Sequence, residues 1–446
     1  MENNYIYVFA NLILSKWGDI MSTMLENHYT MEMLIHKMLH SIEVDTNLYK
    51  PSKPKAPNDA PVIMLVDKII QQAIDAKASD IHIEPTAEIV RIRFRIDGQL
   101  REMHELPISV HAFFVSRLKI ISALDTTETR IPQDGRIHYT YEQKTIDLRI
   151  STMPVMYGEK VVIRILDKSA ALLQTTELGF SPANFKLFTD LCHSPYGMIL
   201  NSGPVNSGKT TTLYAALNEL NMPSKNIITI EDPVEYCLDG INQIQVNPKT
   251  GLSFSVGLRS ILRQDPNIMM VGEIRDKETA EIAVRAALTG HLVFSTLHTN
   301  NAMGAIVRLF DMGIEPFLIA SSILGVLAQR LVRKICPDCK EAYRVNEKSP
   351  EYKYLGDLYQ PGTILYRGRG CESCGGTGYK GRMAIQEVLV MTDDIRASFQ
   401  NGISISMIKH SVSQANMVPL YQDGIQKALA GDTTLAEIVR VTYGNL

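Results

Sequence analysis

Gly203 to Thr210 read G-P-V-N-S-G-K-T, with glycines and a lysine–threonine pair at the spacing of a phosphate-binding P-loop. Small residues let consecutive backbone N–H groups turn inward around phosphate oxygens, at a helix N-terminus that already favours anions. Lys209 then reaches the β- and γ-phosphates, and the Thr210 hydroxyl ligates magnesium. The candidate nucleotide contacts are therefore Gly203, Pro204, Val205, Asn206, Ser207, Gly208, Lys209, Thr210 and Thr211. Asn206 stands where such loops usually carry another glycine. Asparagine is the least costly replacement there, because it visits positive φ more readily than most residues.

A second set of reactive side chains is cysteine. Cys336 and Cys339 lie in "CPDC", and Cys371 and Cys374 in "CESC". Two intervening residues put both thiolates of a pair on one metal. The 31 residues between the pairs exceed the common zinc-ribbon gap, but they can fold back as a small loop subdomain. Turn-rich "GRGCESCGGTGYKGR" supplies flexible backbone for that. A redox role rivals zinc for either pair alone, and the two pairs together favour structural zinc. Cys192 and Cys237 are isolated and read as ordinary buried thiols.

These groups need elements to hold them. Met198-Ile199-Leu200 is an apolar run that fits a buried strand before the P-loop, and Leu213, Ala216, Leu217 and Leu220 recur at helical spacing after it. "NIITIEDPVEY" is a strand running into Glu231, Asp232 and Glu235, and "NIMMVGEIRD" a strand ending at Gly272-Glu273. "ALTGHLVFSTLHTNNA" has His291 before its strand and His298 after it. Ligands of an open parallel sheet bind at the carboxyl ends of its strands, so Glu231, Glu273 and His298 are expected to converge on the bound phosphates. From about residue 178 helix and strand signals alternate, the pattern of a parallel sheet with helices on both faces.

Upstream, residues 1–50 are rich in methionine and show no chemistry, and "YKPSKPKAPNDAP", with four prolines, reads as a linker. Val62, Leu65, Val66, Ile69, Ile70, Ala73 and Ile74 mark one face of a helix ending near "KASD". "VRIRFRIDGQL" alternates strictly, with Val90, Ile92, Phe94 and Ile96 on one face and Arg91, Arg93 and Arg95 on the other, before a tight turn at Asp97-Gly98. "TIDLRIS" and "VVIRILD" are further strands, carrying Arg149 and Arg164, and "RIPQDGRI" reads as a turn. Any single arginine here is best read as part of a solvated sheet face. As a set beside an ATPase domain, some could serve a neighbouring subunit's nucleotide as arginine fingers.

A chain of 446 residues suggests about three domains. A net charge of −3 without long basic runs argues against a dedicated nucleic-acid binder. No apolar run reaches the ~18 residues that span a bilayer. "YIYVFANLIL" lacks the basic flank and cleavage site of a signal peptide. The expectation is a cytosolic protein that can dock on a membrane complex.

Taken with "ASDIHIEP", "RIPQDGRI" and "RQDPNIMMVGEIRD", these motifs resemble the secretion-superfamily ATPases, which include type II secretion and type IV pilus-assembly ATPases. The resemblance runs from about residue 59 to the C-terminus. It implies an α/β protein: a RecA-like P-loop ATPase domain at 171–446, a smaller PAS-like α/β domain at 59–170, and an N-terminal extension with linker at 1–58. A tetracysteine zinc subdomain would occupy 335–382. It further implies a cytoplasmic homo-hexamer, peripheral to the inner face of the membrane and working with an inner-membrane platform protein. With ATP, Mg2+ and Zn2+, its hydrolysis of ATP to ADP and phosphate would drive assembly of a type IV pilus or a type II secretion pseudopilus.

In that setting Thr210 and Glu273 organise magnesium, Glu231 orients or deprotonates the attacking water with Glu273 as its competitor, and His298 reports γ-phosphate occupancy. Arg136 and Arg149 are the candidate fingers. Retraction ATPases of the same superfamily lack the two C-x-x-C pairs. A RecA-like nucleic-acid translocase or helicase is the alternative from another class, opposed by the acidic balance. A non-hydrolysing scaffold is opposed by intact Lys209, Glu231 and Glu273. The chain departs from the family pattern at Asn206, at Asn267 where an aspartate is usual, and in its short N-terminal segment. The last feature puts regulation by a cyclic dinucleotide in doubt.

Overall fold

Alternating residues of 89–96 divide cleanly between a core and a charged face in the computed structural model, which describes residues 30–46, 60–166, 173–399 and 417–443. The chain forms two compact units, Met1–Asp167 and Lys168–Leu446. The expected domain boundary at residue 170 lies outside the described residues, as does most of the proline-rich linker.

In the first unit, helices α1 (Met31–Thr46), α2 (Ala60–Asp75) and α3 (His111–Ile121) accompany a six-stranded antiparallel sheet. Its strands are β1 (Asp80–Pro85), β2 (Ile89–Ile96), β3 (Gln99–Pro107), β4 (Gln133–Tyr141), β5 (Lys144–Val155) and β6 (Gly158–Leu166), in the order β3-β2-β1-β6-β5-β4. Val90, Ile92 and Phe94 bury one face of β2 in a single cluster with Leu65 and Ile69 of α2 and Phe114 and Leu118 of α3. Leu34 of α1 joins that cluster, so part of the segment expected to be a plain extension contributes to the core. Asp97 and Gly98 both take positive φ, 50° and 82°, as a two-residue hairpin turn requires.

The expected turn at "RIPQDGRI" is mostly strand: β4 begins at Gln133. Asp134-Gly135 suggests a turn by composition, but Gly135 is there for a close approach. A Cβ on it would lie 2.8 Å from the carbonyl oxygen of Ser122, at the end of α3.

Cross-strand register sets Arg95, Asp80, Arg164, Arg149 and Arg136 in one row across β2, β1, β6, β5 and β4. The Asp80 carboxylate meets Arg95 Nε at 3.4 Å and Arg164 Nε at 3.1 Å. Arg136 is exposed and Arg149 half-buried.

The second unit is built on a seven-stranded sheet. Its strands β7 (Gly197–Ser202), β8 (Ile227–Glu231), β9 (Asn242–Gln245), β10 (Ile268–Val271), β11 (Leu292–Leu297) and β12 (Ile323–Ile335) run parallel. After a two-stranded excursion, β13 (Lys340–Arg344) and β14 (Ile364–Gly368), β15 (Tyr379–Val390) returns antiparallel to β12. The order is β15-β12-β7-β11-β10-β8-β9. Around it lie α4 (Pro182–Cys192), α5 (Lys209–Leu220), α6 (Phe254–Ile261), α7 (Lys277–Leu288), α8 (Ala302–Asp311), α9 (Pro316–Ser322), α10 (Tyr352–Leu355), α11 (Asp393–Ser398), α12 (Leu420–Ala430) and α13 (Leu435–Thr442).

Every residue of β7, β8, β10 and β11 is buried, as expected where helices cover both faces of a parallel sheet. Met198 and Leu200 of β7 join residues of α6, α7, α8 and α9 in one layer, and Ile199 joins α4 and α5 in the other. Burying a side chain such as Leu200 contributes roughly 1.5–3 kcal/mol. Among the described residues, no helix is long and apolar enough to cross a membrane.

Candidate active site and tetracysteine cluster

β7 ends at Ser202, the loop follows, and α5 starts at Lys209, so the motif sits in the strand–loop–helix context it requires. Asn206 takes φ 63°, the positive value expected for the residue in that glycine position. Lys209 Nζ donates to the carbonyls of Gly203 at 2.8 Å and Pro204 at 2.9 Å. Burial pushes the Lys209 ammonium down to about 8, against the opposing pull of the Glu273 carboxylate.

The carboxyl edge of the sheet gathers the other candidates into two groups. Glu273, just past β10, accepts from Arg275 Nη2 at 2.6 Å and lies 3.5 Å from His298 Nε2, just past β11. Burial raises the Glu273 carboxyl, but Arg275 and His298 outweigh it and hold the group below its ordinary range. Burial and the charge of Lys209 both push His298 down, which favours its neutral form. Lys209, Glu273, Arg275 and His298 thus form one electrostatic group.

Glu231, the last residue of β8, has different company. Its carboxylate is buried and accepts from the Tyr214 hydroxyl, from Thr229 Oγ1 at 2.6 Å and from Gln243 Nε2 at 3.2 Å. Burial pushes its carboxyl up, and these neutral donors only partly offset that. The Tyr214 ring meets Tyr236 edge-on, with centroids 4.9 Å apart.

The remaining candidates are placed as follows. His291 lies at the opposite end of β11 from His298, where Nδ1 is 3.0 Å from the Ala286 carbonyl of α7, a local structural contact. Arg136 and Arg149 are cross-strand neighbours in the first unit. Cys192 is buried as expected, but Cys237 is exposed, because it follows β8 in an open loop.

Tyr214, Gln243 and Arg275 escaped the reading of the sequence as site residues. Arg275 was visible inside "GEIRD". A tyrosine in an apolar helical stripe reads as core, and nothing in the sequence signals that Gln243 on the edge strand β9 will reach Glu231.

The four cysteines meet where two hairpins end, Cys336 following β12, Cys339 preceding β13, Cys371 following β14 and Cys374 preceding β15. Their sulfurs all lie within 4.8 Å of one another, with Cys336–Cys371 at 3.8 Å, Cys339–Cys374 at 4.0 Å and Cys371–Cys374 at 3.7 Å. A tetrahedral zinc with Zn–S near ~2.3 Å requires S···S separations of about 3.8 Å, so the donor set fits that ion. Backbone amides of Cys371 and Gly378 each point at Cys374 Sγ from 3.2 Å. Burial raises the Cys374 thiol, but these amides outweigh it and bring the group to about 6.

A family model described as Type II/IV secretion system protein matches residues 55–440. The chain belongs to that family. It is 50% identical over 385 residues to Type II secretion system protein E of Dickeya dadantii (strain 3937), spanning 86% of this chain and 76% of that protein. It is 51% identical over 387 residues to the protein of the same name from Pseudomonas aeruginosa, again 86% of this chain and 76% of the relative. Type IV pilus assembly ATPase PilB of Thermus thermophilus is 48% identical over 377 residues, 84% of this chain and 42% of PilB.

Among solved structures, the pilus retraction motor PilT with bound ADP aligns at a TM-score of 0.56 and 27% identity, over 84% of this chain and 96% of that one. The Legionella pneumophila ATPase DotB aligns at 0.62 and 20% identity, over 89% and 98%, a likeness of fold. The fold class expected from the sequence is therefore the one found. None of these relatives supports the nucleic-acid translocase alternative.

Proposed function

We propose that this member of the Type II/IV secretion system protein family is a P-loop ATPase motor. It would couple hydrolysis of ATP to ADP and phosphate to the assembly of a type IV pilus or a type II secretion pseudopilus. The observation that carries this reading is the grouping of Lys209, Glu273 and His298 at the carboxyl edge of the sheet, in a chain close to half identical to named secretion and pilus ATPases.

Catalysis of phosphoryl transfer is mainly positioning and charge stabilisation. The loop amides and Lys209 hold the β- and γ-phosphates, and Thr210 and Glu273 are the residues that would hold magnesium. That ion, when bound, neutralises charge on the phosphate oxygens. The two carboxylates are pushed in opposite directions, Glu273 down and Glu231 up, and such divergence supports a division of labour. Glu273, kept ionised, suits the metal. Glu231, with raised basicity and an orientation set by Tyr214, Thr229 and Gln243, suits the orientation and deprotonation of water.

His298 reports phosphate occupancy to the subunit interface. Arg136 and Arg149 act on a neighbouring subunit's nucleotide in a homo-hexamer, which works at the cytoplasmic face of the inner membrane on a platform protein. The tetracysteine cluster holds zinc structurally, with no coordination position left for substrate.

The test is steady-state ATPase activity of the purified oligomer with added platform protein in acidic phospholipid vesicles, or with DNA. Stimulation by the first and not by the second is expected. Stimulation by DNA alone would overturn the reading.

A further inference from the structure

β12, the strand that leads into Cys336, also runs beneath the P-loop. It pairs in parallel with β7, Leu327 opposite Asn201 and Ala328 opposite Ser202. The next residue, Gln329, is thereby level with Gly203, and its side chain is buried. Its Nε2 donates to the carbonyl of Ser207 at 2.8 Å. Its Oε1 accepts from Thr212 Oγ1 at 3.0 Å and from Asn201 Nδ2 at 3.4 Å. Asn201 also donates to the carbonyl of Lys209 at 3.3 Å. One carboxamide thus ties the strand before the loop, the loop itself and the first turn of α5. The fit is close: a Cβ on Gly203 would come within 2.5 Å of the Gln329 carbonyl oxygen, and one on Gly208 within 3.1 Å of Gln329 Nε2.

We infer that Gln329 is a positioning residue for phosphate binding, acting through the Ser207–Gly208 peptide. The inference rests on the P-loop reading. In a planar trans peptide the C=O and the following N–H point in opposite directions. Holding the Ser207 carbonyl down onto Gln329 therefore turns the Gly208 N–H to the other side, toward the concavity where phosphate oxygens bind. Glutamine meets the need because it both donates and accepts. Glutamate of the same shape offers no donor to Ser207, and it sets a negative charge under an anion site.

The test compares Gln329→Glu and Gln329→Met with the wild-type chain, by titration with a fluorescent ADP analogue and by steady-state ATPase kinetics. The ADP Kd and the KM for ATP should rise on the order of 100-fold for Gln329→Glu and about tenfold for Gln329→Met. kcat should fall less than KM rises, and the melting temperature without nucleotide should move by no more than about 3 °C. If the glutamate variant fails to fold, the near-isosteric methionine variant still decides. Wild-type Kd and KM in the folded variants would overturn the inference, and so would equal losses for charged and neutral replacements. Lys209→Ala run in parallel separates the two readings. Its inactivity beside unaffected Gln329 variants removes this inference alone, whereas full activity of Lys209→Ala removes the P-loop reading itself.

Discussion

Around the P-loop, β7 is buried along its whole length between two apolar layers, whereas beyond the far end of β12 the four cysteines form a small cluster of their own, next to a modest core that joins Val332, Val345 and Leu365 to α12 and α13. The loop's shape is therefore secured by hydrophobic burial of the sheet that carries it and by backbone geometry, as at Asn206. The tetracysteine site has four sulfurs drawn within 4.8 Å, held between hairpin ends by backbone hydrogen bonds such as Cys336 N–H to the Gly378 carbonyl at 2.9 Å. The two sites should respond differently to loss of one side chain. At the loop, chemistry should fail while the fold survives. At the cysteines, local folding should fail first.

Lys209→Ala is the largest expected effect and tests the first half of that contrast. Steady-state ATPase activity should fall to background because the ammonium proposed to hold the β- and γ-phosphates is gone, while the melting temperature moves by no more than about 3 °C. Near wild-type turnover in the folded variant would break the contrast.

Cys371→Ser tests the other half. Elemental analysis of the wild-type chain should find about one zinc per chain, and the variant should lose it. The 336–380 region should then become protease-sensitive while nucleotide binding at the P-loop persists, because local folding is linked to the metal. Absence of metal under reducing conditions, with the region still protected, would sink the zinc assignment.

A partial recovery is expected when an Arg149→Ala chain is mixed with a Lys209→Ala chain, since each would supply the group the other lacks. Specific activity of the wild-type protein should likewise rise with concentration as subunits assemble. Flat concentration dependence without complementation would point to a self-sufficient subunit.

The strand leading into Cys336 has an acid-sensitive anchor. Arg333 of β12 pairs with buried Glu437 of α13 at 2.7 Å, and Arg440 reaches the same carboxylate at 2.7 Å. Burial alone would raise Glu437, but Arg440 and Arg333 hold it at about 2. Between the ordinary carboxylate range and that value, the unfolded chain binds the extra proton, so stability rises with pH across the window. The contribution, up to about 3 kcal/mol, is present above the unfolded pKa and is lost as pH falls through about 2. Hydrogen exchange in α12 and α13 should accelerate over that window in the wild-type chain, and the added acid sensitivity should vanish in Glu437→Gln. Asn206→Gly is the smallest expected effect, a change in turnover within about twofold, because glycine also accepts positive φ.

The strand–loop–helix unit, the cysteine pairs and the parallel sheet were legible because each is written in contiguous residues: a glycine-rich loop after an apolar run, pairs at fixed spacing, buried strands without alternation. Local spacing and hydrophobic period act over a few residues, and a chain carries them unfolded or folded. "RIPQDGRI" misled for the same reason. Its composition suggests a turn, while β4 is set by Gly135 lying against the end of α3, a contact between residues distant in sequence.

What only the tertiary structure decided is which side chains share an environment. Glu231 and Glu273 both follow apolar strands and are equivalent on paper. Folding sets one among Tyr214, Thr229 and Gln243 and the other beside Arg275, His298 and the field of Lys209, so their acidities diverge. Gln329, more than a hundred residues from the loop it supports, is invisible in any local pattern. Burial and electrostatic coupling depend on distances in space, and those distances exist only once the sheet has ordered its strands.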